Sequence, residues 1–146
     1  MMERRDFNFF HTIRVRWSDV DPQGVVSSAT YLNYYDIGII ELFRDIDYDY
    51  KNQAQRTGTD FYTAKTLVEY KTSASFDNLV DIAVGIGRLG QSSLTFSVAI
   101  FHHAQDTLIV CGEAVWVNVD QTTHKSTPIP AELKQRLKER FPELAS

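Results

Sequence analysis

The chain has 146 residues, of which 43% are hydrophobic and 23% are charged, and its formal net charge is −4. A chain of this length and apolar content can form one domain with a buried core, which excludes disordered and low-complexity proteins. The acidic balance and the dispersed basic residues argue against a nucleic-acid-binding surface. The single cysteine, Cys111, excludes an internal disulfide framework and a cysteine-based zinc site.

The amino terminus predicts no secretory signal. Residues 1–6 are mostly charged and no apolar segment follows them, whereas a signal peptide requires one. No apolar run in the chain approaches the roughly 20 residues that cross a bilayer. We therefore expect a cytoplasmic protein that has no membrane partner.

The first part of the chain predicts one strand and one long helix. Residues 9–17 alternate between two faces, which is typical of a strand. A segment rich in turn-forming residues follows at 18–24, with Gly24 available for a positive φ. From about Ala29 to Ile46, apolar residues recur every three or four positions and on most sides, which predicts a buried helix of roughly 27 Å. Residues 45–59 are polar and predict a short helix or a loop that closes at Gly58.

The remainder of the chain predicts an antiparallel meander of strands and a last helix. β-branched and aromatic residues dominate four stretches separated by short turns. These stretches are residues 61–75, 80–87, 94–101 and 108–119. Pro128 and Pro130 end the sheet, and residues 131–141 predict a helix with a narrow apolar stripe. The sequence thus predicts an α+β fold, in which a five-stranded antiparallel sheet wraps around one long central helix in a single domain, residues 1–146.

Two motifs resemble binding sites, but the predicted strands explain them better than a bound nucleotide or metal does. Residues 85–90 match the G-x-G-x-x-G string of dinucleotide-binding folds, but the next segment alternates like a strand where that fold needs a helix. His102 and His103 are adjacent in a predicted strand, so their side chains point to opposite faces and do not readily share a metal. We therefore predict neither a nucleotide cofactor nor a bound metal.

The segment from Asp19 to Ser28 leads into the predicted helix and carries two carboxylates, Asp19 and Asp21. On residue chemistry alone, two interpretations stay open. An aspartate beside a helix start can simply cap the helix or close a turn. Alternatively, free N–H groups in the first helical turn can face a carbonyl oxygen while Asp21 acts as nucleophile or base, with Asp19 as the competing carboxylate.

These residues carry a resemblance to a known family. The run from Arg16 to Val26, with its D-x-D-P-x-G-V-V string, and the run from Ala29 to Asp36 resemble the signature of the 4-hydroxybenzoyl-CoA thioesterase-like branch of hotdog-fold acyl-CoA thioesterases. Supporting matches continue through the run from Val68 to Tyr70 as far as Ile129 and Pro130, so the resemblance covers roughly residues 8–132. The hotdog fold of that family wraps a sheet around one helix, which agrees with the architecture predicted above.

The resemblance implies catalytic roles around the start of the helix. Asp21 looks like the family's catalytic carboxylate, which acts on the thioester as nucleophile or as base for water. Gly24 resembles the turn glycine of the signature. The backbone N–H of Ser28 falls where the family polarises the thioester carbonyl. These three residues form the predicted catalytic set.

The resemblance also implies a substrate-binding set. Arg88, Ser92 and Ser93 fall on the strand pair that in many relatives lies along the pantetheine and the phosphates of CoA. Tyr31 belongs to the signature run at the start of the helix. Asp36 aligns with a helix acid whose role varies within the family.

The chain departs from the family just after the two valines of the signature. Many relatives have Tyr-His-Ala-Asn-Tyr there, whereas this chain has the residues from Ser27 to Tyr31, Ser-Ser-Ala-Thr-Tyr. The missing His and Asn remove a candidate partner for the attacking water or for the carboxylate, which affects rate and mechanism more than reaction class. Ser27 or Thr30 can substitute for them by a hydrogen bond.

The resemblance implies hydrolysis of an acyl-CoA thioester to a carboxylic acid and CoA, without a metal or redox cofactor. Two alternatives stay open: a hotdog dehydratase, and a non-catalytic module that binds acyl-CoA or an acyl carrier. The resemblance also implies self-association to a dimer or tetramer with active sites at the subunit interface. A lone five-stranded sheet agrees with this, because it leaves a long exposed edge that proteins normally cover.

Overall fold

Eight α-helices and strands follow one another along residues 2–145, the part of the chain that the computed structural model describes. They are β1 (Phe10–Arg14), α1 (Thr30–Asp45), α2 (Gln53–Thr57), β2 (Thr59–Tyr70), β3 (Leu79–Leu89), β4 (Ser93–His102), β5 (Leu108–Asp120) and α3 (Ala131–Arg140). Each predicted element is present, and the polar segment before β2 contains the short helix α2, which ends at Gly58 with φ 71°. None of these helices combines the length and the apolar character that crossing a membrane requires.

The five strands form one antiparallel sheet in the order β1-β3-β4-β5-β2. The strands β3, β4 and β5 pair with their sequence neighbours, as the predicted meander requires. The strands β1 and β2 lie at the two edges, because β1 pairs only with β3 and β2 only with β5 within residues 2–145. The predicted α+β class with a five-stranded antiparallel sheet is therefore confirmed.

Two strands end earlier than the sequence predicts. β1 ends at Arg14 rather than near residue 17, because Val15 exchanges backbone hydrogen bonds with the loop before β3. β2 ends at Tyr70 rather than at residue 75, because the next two amides both donate to the carbonyl of Ile109 and interrupt the strand ladder. The loops that follow these two strands meet through one isolated bridge, between Val25 and Ser75.

The helix α1 has 16 residues and packs one side against the inner face of the sheet. Its fully buried side chains are Tyr34, Tyr35, Ile39, Leu42 and Phe43. Gly38 permits the close approach of helix and sheet, since a Cβ there would overlap Ile82 and would lie 3.0 Å from Cγ2 of Val84. The opposite side of the helix, with Leu32 and Asp36, is exposed. The sequence predicted burial on most sides, but within one chain the sheet covers only one side of this helix.

The amino-terminal segment, which we define as residues 2–10, covers part of the outer face of the sheet. Three of its apolar side chains, Met2, Phe7 and Phe10, pack against a second and smaller apolar cluster. That cluster consists of Ala83, Ala99, Phe101, Leu108 and Cys111. The sheet therefore has apolar contacts on both of its faces.

Asp81 ties the amino-terminal segment to β3. Only 2% of Asp81 is exposed, and its oxygens lie within hydrogen-bond distance of Arg4, Thr12 Oγ1, His103 Nδ1 and the Ala104 N–H. Burial by itself would raise the pKa of Asp81, but these contacts outweigh it and hold the pKa well below the ordinary range. Asp81 therefore stays ionised at neutral pH and holds the segment in place through a charged hydrogen bond.

Candidate active site

The residues between β1 and α1 fold into a small hairpin whose turn spans Asp21 to Gly24. Val20 pairs with Val26 in an isolated antiparallel bridge. The Asp21 N–H donates to the Val25 carbonyl at 2.9 Å, and the Gly24 N–H donates to the Asp21 carbonyl at 2.9 Å. Gly24 has φ 81°, which a residue with a side chain rarely adopts. The prediction of a turn that uses a positive φ at Gly24 is confirmed.

Asp21 closes this turn with one of its carboxylate oxygens. Oδ1 of Asp21 accepts a hydrogen bond from the Gln23 N–H at 2.8 Å, which is an Asx turn. Within residues 2–145, Oδ2 of Asp21 has no hydrogen-bond partner, and the side chain is half-buried. The turn interpretation is therefore confirmed, and the second oxygen is available for chemistry at the same time.

Asp19 anchors the hairpin to its surroundings instead of facing the solvent. Only 3% of Asp19 is exposed. Its carboxylate accepts hydrogen bonds from the Arg16 N–H at 2.9 Å, from Arg16 Nη2 at 2.9 Å and from the Tyr34 hydroxyl at 2.8 Å. Its carbonyl accepts the Ser27 N–H at 3.1 Å. Both side-chain oxygens of Asp19 are thus occupied, which favours Asp21 over Asp19 as the reactive carboxylate.

The protonation state of Asp19 agrees with an anchoring role. Burial by itself would raise the pKa of Asp19, but the hydrogen bonds from Arg16 and Tyr34 outweigh it and lower the pKa. Burial and the Asp19 carboxylate also raise the pKa of the Tyr34 hydroxyl, which therefore remains a donor. This pair connects the hairpin to the buried side of α1.

The hairpin leads into a helix start with two unpartnered N–H groups. Within residues 2–145, neither the Ser28 N–H nor the Ala29 N–H has a hydrogen-bond acceptor. The carbonyl of Ser27 accepts the Thr30 N–H at 2.9 Å, and the carbonyl of Ser28 accepts the hydroxyl of Tyr70 at 3.1 Å. Ser28 itself is exposed. Free N–H groups at a helix N-terminus stabilise negative charge, so this start can receive a developing oxyanion.

Tyr31 lies behind the helix start and is buried. Its ring makes edge-to-face contacts with Tyr34 at 5.8 Å and with Tyr70 at 6.0 Å. Its hydroxyl accepts a hydrogen bond from the Ala74 N–H at 3.4 Å, and burial raises its pKa. In one chain, Tyr31 therefore supports the start of α1 from the core side.

Asp36 lies on the exposed side of α1, about 9 Å along the helix axis from Thr30. It lines a shallow groove of about 290 Å³ together with Ile37, Ile40, Glu41 and Arg44. Partial burial raises the pKa of the Asp36 carboxyl. The groove therefore offers two aliphatic side chains, Ile37 and Ile40, between charged side chains on the exposed side of this helix.

The three residues predicted to contact CoA lie at the far end of the sheet. Arg88, Ser92 and Ser93 lie where β3 ends and β4 begins. The Asp21 hairpin follows the end of β1, which pairs with the start of β3, so it lies at the opposite end of the sheet. Because β3 is extended, its length from Leu79, which pairs with Arg14 at the end of β1, to Arg88 is about 30 Å. The Arg88 side chain is exposed and has no hydrogen-bond or ion-pair partner within the described residues. One chain does not bring these residues together with Asp21.

Ser27 and Thr30, which can stand in for the missing His and Asn, do not contact Asp21 through their hydroxyls in this structure. Within residues 2–145, the hydroxyls of Ser27 and Thr30 make no hydrogen bond. Sequence reasoning also missed the contact between Tyr70 and Ser28, which joins residues 42 positions apart in the chain. The only signal of it was the place of Tyr70 in the family-like run from Val68 to Tyr70.

A comparison with known families identifies the chain. The model of the thioesterase-like superfamily matches residues 15–137. The chain belongs to the thioesterase-like superfamily. This confirms the family expected from the signature run, and both the Asp21 hairpin and α1 lie within the matched region.

One sequence relative and two solved structures are similar to this chain. Over 128 residues the chain is 31% identical to acyl-CoA thioester hydrolase YbgC of Escherichia coli O6:H1, a match that covers 84% of this chain and 93% of YbgC. The 1,4-dihydroxy-2-naphthoyl-CoA thioesterase Slr0204 from Synechocystis superposes with a TM-score of 0.83 at 13% identity, over 88% of this chain and 94% of Slr0204. SAV2348 from Staphylococcus aureus, solved in complex with CoA, has a TM-score of 0.83 at 15% identity, over 92% of this chain and 84% of SAV2348. The two solved structures share the fold of this chain.

Proposed function

We propose that this chain hydrolyses acyl-CoA thioesters to a carboxylic acid and CoA. The observation that carries the proposal is the hairpin itself, which presents a free carboxylate oxygen of Asp21 just before a helix start with unpartnered N–H groups. The name of the YbgC relative supports the reaction, and the CoA complex of a structural neighbour supports the substrate class.

In the proposed mechanism, the thioester carbonyl oxygen points at the N–H groups of Ser28 and Ala29. The free oxygen of Asp21 attacks the carbonyl carbon or removes a proton from an attacking water. If Asp21 attacks, the carbon–sulfur bond breaks to give a mixed anhydride and the CoA thiolate; water then hydrolyses the anhydride, which regenerates Asp21 and releases the proton that the thiolate takes up. If Asp21 acts as base, the water oxygen bonds to the carbonyl carbon, the carbon–sulfur bond breaks, and the proton held by Asp21 passes to the CoA thiolate. One oxyanion donor contributes about 3 kcal/mol and a positioned base roughly 10²–10⁴-fold. A thioester is reactive enough for these contributions to suffice, so the reaction as proposed uses no metal or redox cofactor.

We further propose that the functional unit contains two copies joined along β2. This edge strand exposes large apolar side chains: Tyr62 is 49% exposed, Leu67 43% and Tyr70 53%. An exposed apolar edge is a template for pairing with another strand. If β2 pairs with β2 of a second copy in an antiparallel manner, the two copies run in opposite directions. The Arg88 side chain of the second copy then lies at the same end of the combined sheet as the Asp21 hairpin of the first.

This pairing explains two features that a single chain leaves unexplained: the distance of Arg88, Ser92 and Ser93 from the hairpin, and the exposed side of α1. It places Arg88, Ser92 and Ser93 of one copy on the side of the other copy's hairpin, where they can hold the phosphates and pantetheine of CoA. It encloses the exposed side of α1, which then becomes the central helix of the wrapped fold, with Asp36 beside the acyl group. Light scattering that shows a monomer at micromolar concentration would contradict this shared site.

The activity is tested with purified protein, a panel of acyl-CoAs and a thiol reagent. Release of free CoA supports the hydrolase. Conversion of a β-hydroxyacyl-CoA without release of thiol supports the dehydratase instead. Binding of acyl-CoA with neither product supports the non-catalytic module. The cytoplasmic location expected from the sequence remains a prediction.

A further inference from the structure

Tyr70 contacts the backbone at the start of α1 and has no role in the mechanism proposed above. It is the last residue of the edge strand β2, and 53% of its surface is exposed. Its hydroxyl donates a hydrogen bond to the carbonyl oxygen of Ser28 at 3.1 Å. Its ring lies edge to face on Tyr31, with 6.0 Å between the ring centroids. A tyrosine of the edge strand thus reaches the backbone at the start of α1.

The position of this bond matters because of the peptide unit it contacts. The carbonyl of Ser28 and the N–H of Ala29 belong to the same planar peptide group. The preceding peptide, which carries the Ser28 N–H, is held locally because the Ser27 carbonyl accepts the Thr30 N–H at 2.9 Å. The hydroxyl of Tyr70 is the only group outside the hairpin and helix that bonds to the Ser28–Ala29 peptide within the described residues.

We propose that Tyr70 is a positioning residue for one of the two oxyanion donors of this enzyme, the Ala29 N–H. This inference rests on the proposed hydrolysis at the start of α1. A hydrogen bond to the carbonyl fixes the plane of the Ser28–Ala29 peptide and polarises it, which makes the Ala29 N–H a stronger donor. Donors that are oriented before the reaction stabilise the charge that develops in the transition state more than they stabilise the bound substrate.

The chain offers a matched control for this role. Tyr62 lies on the same edge strand, and its exposure of 49% is close to that of Tyr70. Within residues 2–145, its hydroxyl makes no hydrogen bond. Tyr62→Phe therefore removes an equivalent hydroxyl from the same strand without touching the helix start.

The test compares Tyr70→Phe, Tyr62→Phe and the wild type in acyl-CoA hydrolysis. We expect Tyr70→Phe to lower kcat about tenfold with KM within about twofold, since the Ala29 N–H remains but loses its orientation, and loss of a whole donor costs roughly 10²–10³-fold. Tyr62→Phe keeps the apolar ring through which β2 pairs with a second copy, so it keeps the wild-type kcat. In ¹H–¹⁵N spectra, the Ala29 amide proton shifts upfield in Tyr70→Phe alone, because its peptide loses the bond to the carbonyl.

Three results overturn the proposal. They are a kcat of Tyr70→Phe within about twofold of the wild type, a rise in KM at unchanged kcat, and an equal loss of kcat in both variants. A rise in KM would make Tyr70 a substrate contact, and an equal loss would point to the edge strand as a whole. If the wild type releases no CoA from any acyl-CoA, the proposed hydrolysis fails, and the amide shift still decides whether Tyr70 acts on the Ser28–Ala29 peptide.

Discussion

Replacement of Asp21 by asparagine separates its role in the fold from its role in catalysis. The Asx turn uses only Oδ1, which accepts the Gln23 N–H at 2.8 Å, and an asparagine oxygen can accept the same bond. We therefore expect the free energy of unfolding to change by no more than about 1 kcal/mol. The substitution removes the charge needed to attack the thioester or to activate water. We expect kcat to fall at least about 10²-fold while KM changes little.

The assay measures CoA release by Asp21→Asn and Asp19→Asn beside the wild type, together with urea unfolding of all three. Asp19→Asn places an amide NH2 group against the donors of Arg16 and Tyr34, in a site that is 3% exposed. We expect this variant to lose about 2–3 kcal/mol of stability, because a buried donor and acceptor no longer match. The two aspartates thus predict opposite patterns: Asp21 affects rate, and Asp19 affects stability.

Two results would refute the reasoning about Asp21. A full-rate Asp21→Asn enzyme together with an inactive but stable Asp19→Asn enzyme would show that Asp19 is the reactive carboxylate. Full rates in both variants would remove the carboxylate mechanism altogether.

Other predictions concern the CoA end, the outer face and the contact of helix and sheet. Arg88→Ala should raise KM for acyl-CoA roughly tenfold if its guanidinium holds a phosphate, and a KM within about twofold in steady-state kinetics would place the nucleotide elsewhere. Because folding lowers the pKa of Asp81, the ionised carboxylate stabilises the folded state fully above about pH 4. This stabilisation is lost as the pH falls below that value. Urea unfolding of Asp81→Asn should show a shallower loss in that window, and a slope equal to that of the wild type would contradict it. Gly38→Ala should destabilise the fold by about 1–3 kcal/mol through overlap with Ile82, and an unchanged unfolding midpoint would show that the helix can shift.

The parts of the fold that the sequence predicted are those with regular side-chain periodicity. The meander of β3, β4 and β5 and the helix α1 follow from alternation and from helical spacing, because burial of one face imposes those periods. The ends of β1 and β2 did not follow, because they are set by hydrogen bonds to other loops. The early end of β2 depends on the Ile109 carbonyl, which lies 37 to 38 positions further along the chain than the two amides that donate to it. No local pattern reports such a contact.

The candidate site divides in the same way. The turn at Gly24 and the free N–H groups before Thr30 were predictable, since a short run of turn formers ahead of a helix dictates both. The burial of Asp19 and the contact of Tyr70 with Ser28 were not, because they depend on how α1 and β2 pack. The distance between Arg88 and Asp21 follows from strand direction and becomes visible only when the sheet is assembled.

The cover over the outer face has a practical consequence for the assay of this protein. Cys111 is 4% exposed and belongs to the cluster on which Met2, Phe7 and Phe10 pack. A thiol reagent that counts released CoA will therefore react with the protein itself only when the amino-terminal segment lifts from the sheet. The rate at which the reagent reacts with Cys111 in the absence of substrate then measures how often that segment opens. A tag fused ahead of Met2, next to Arg4 and its bond to Asp81, would raise this rate, whereas a tag after α3 would leave it unchanged.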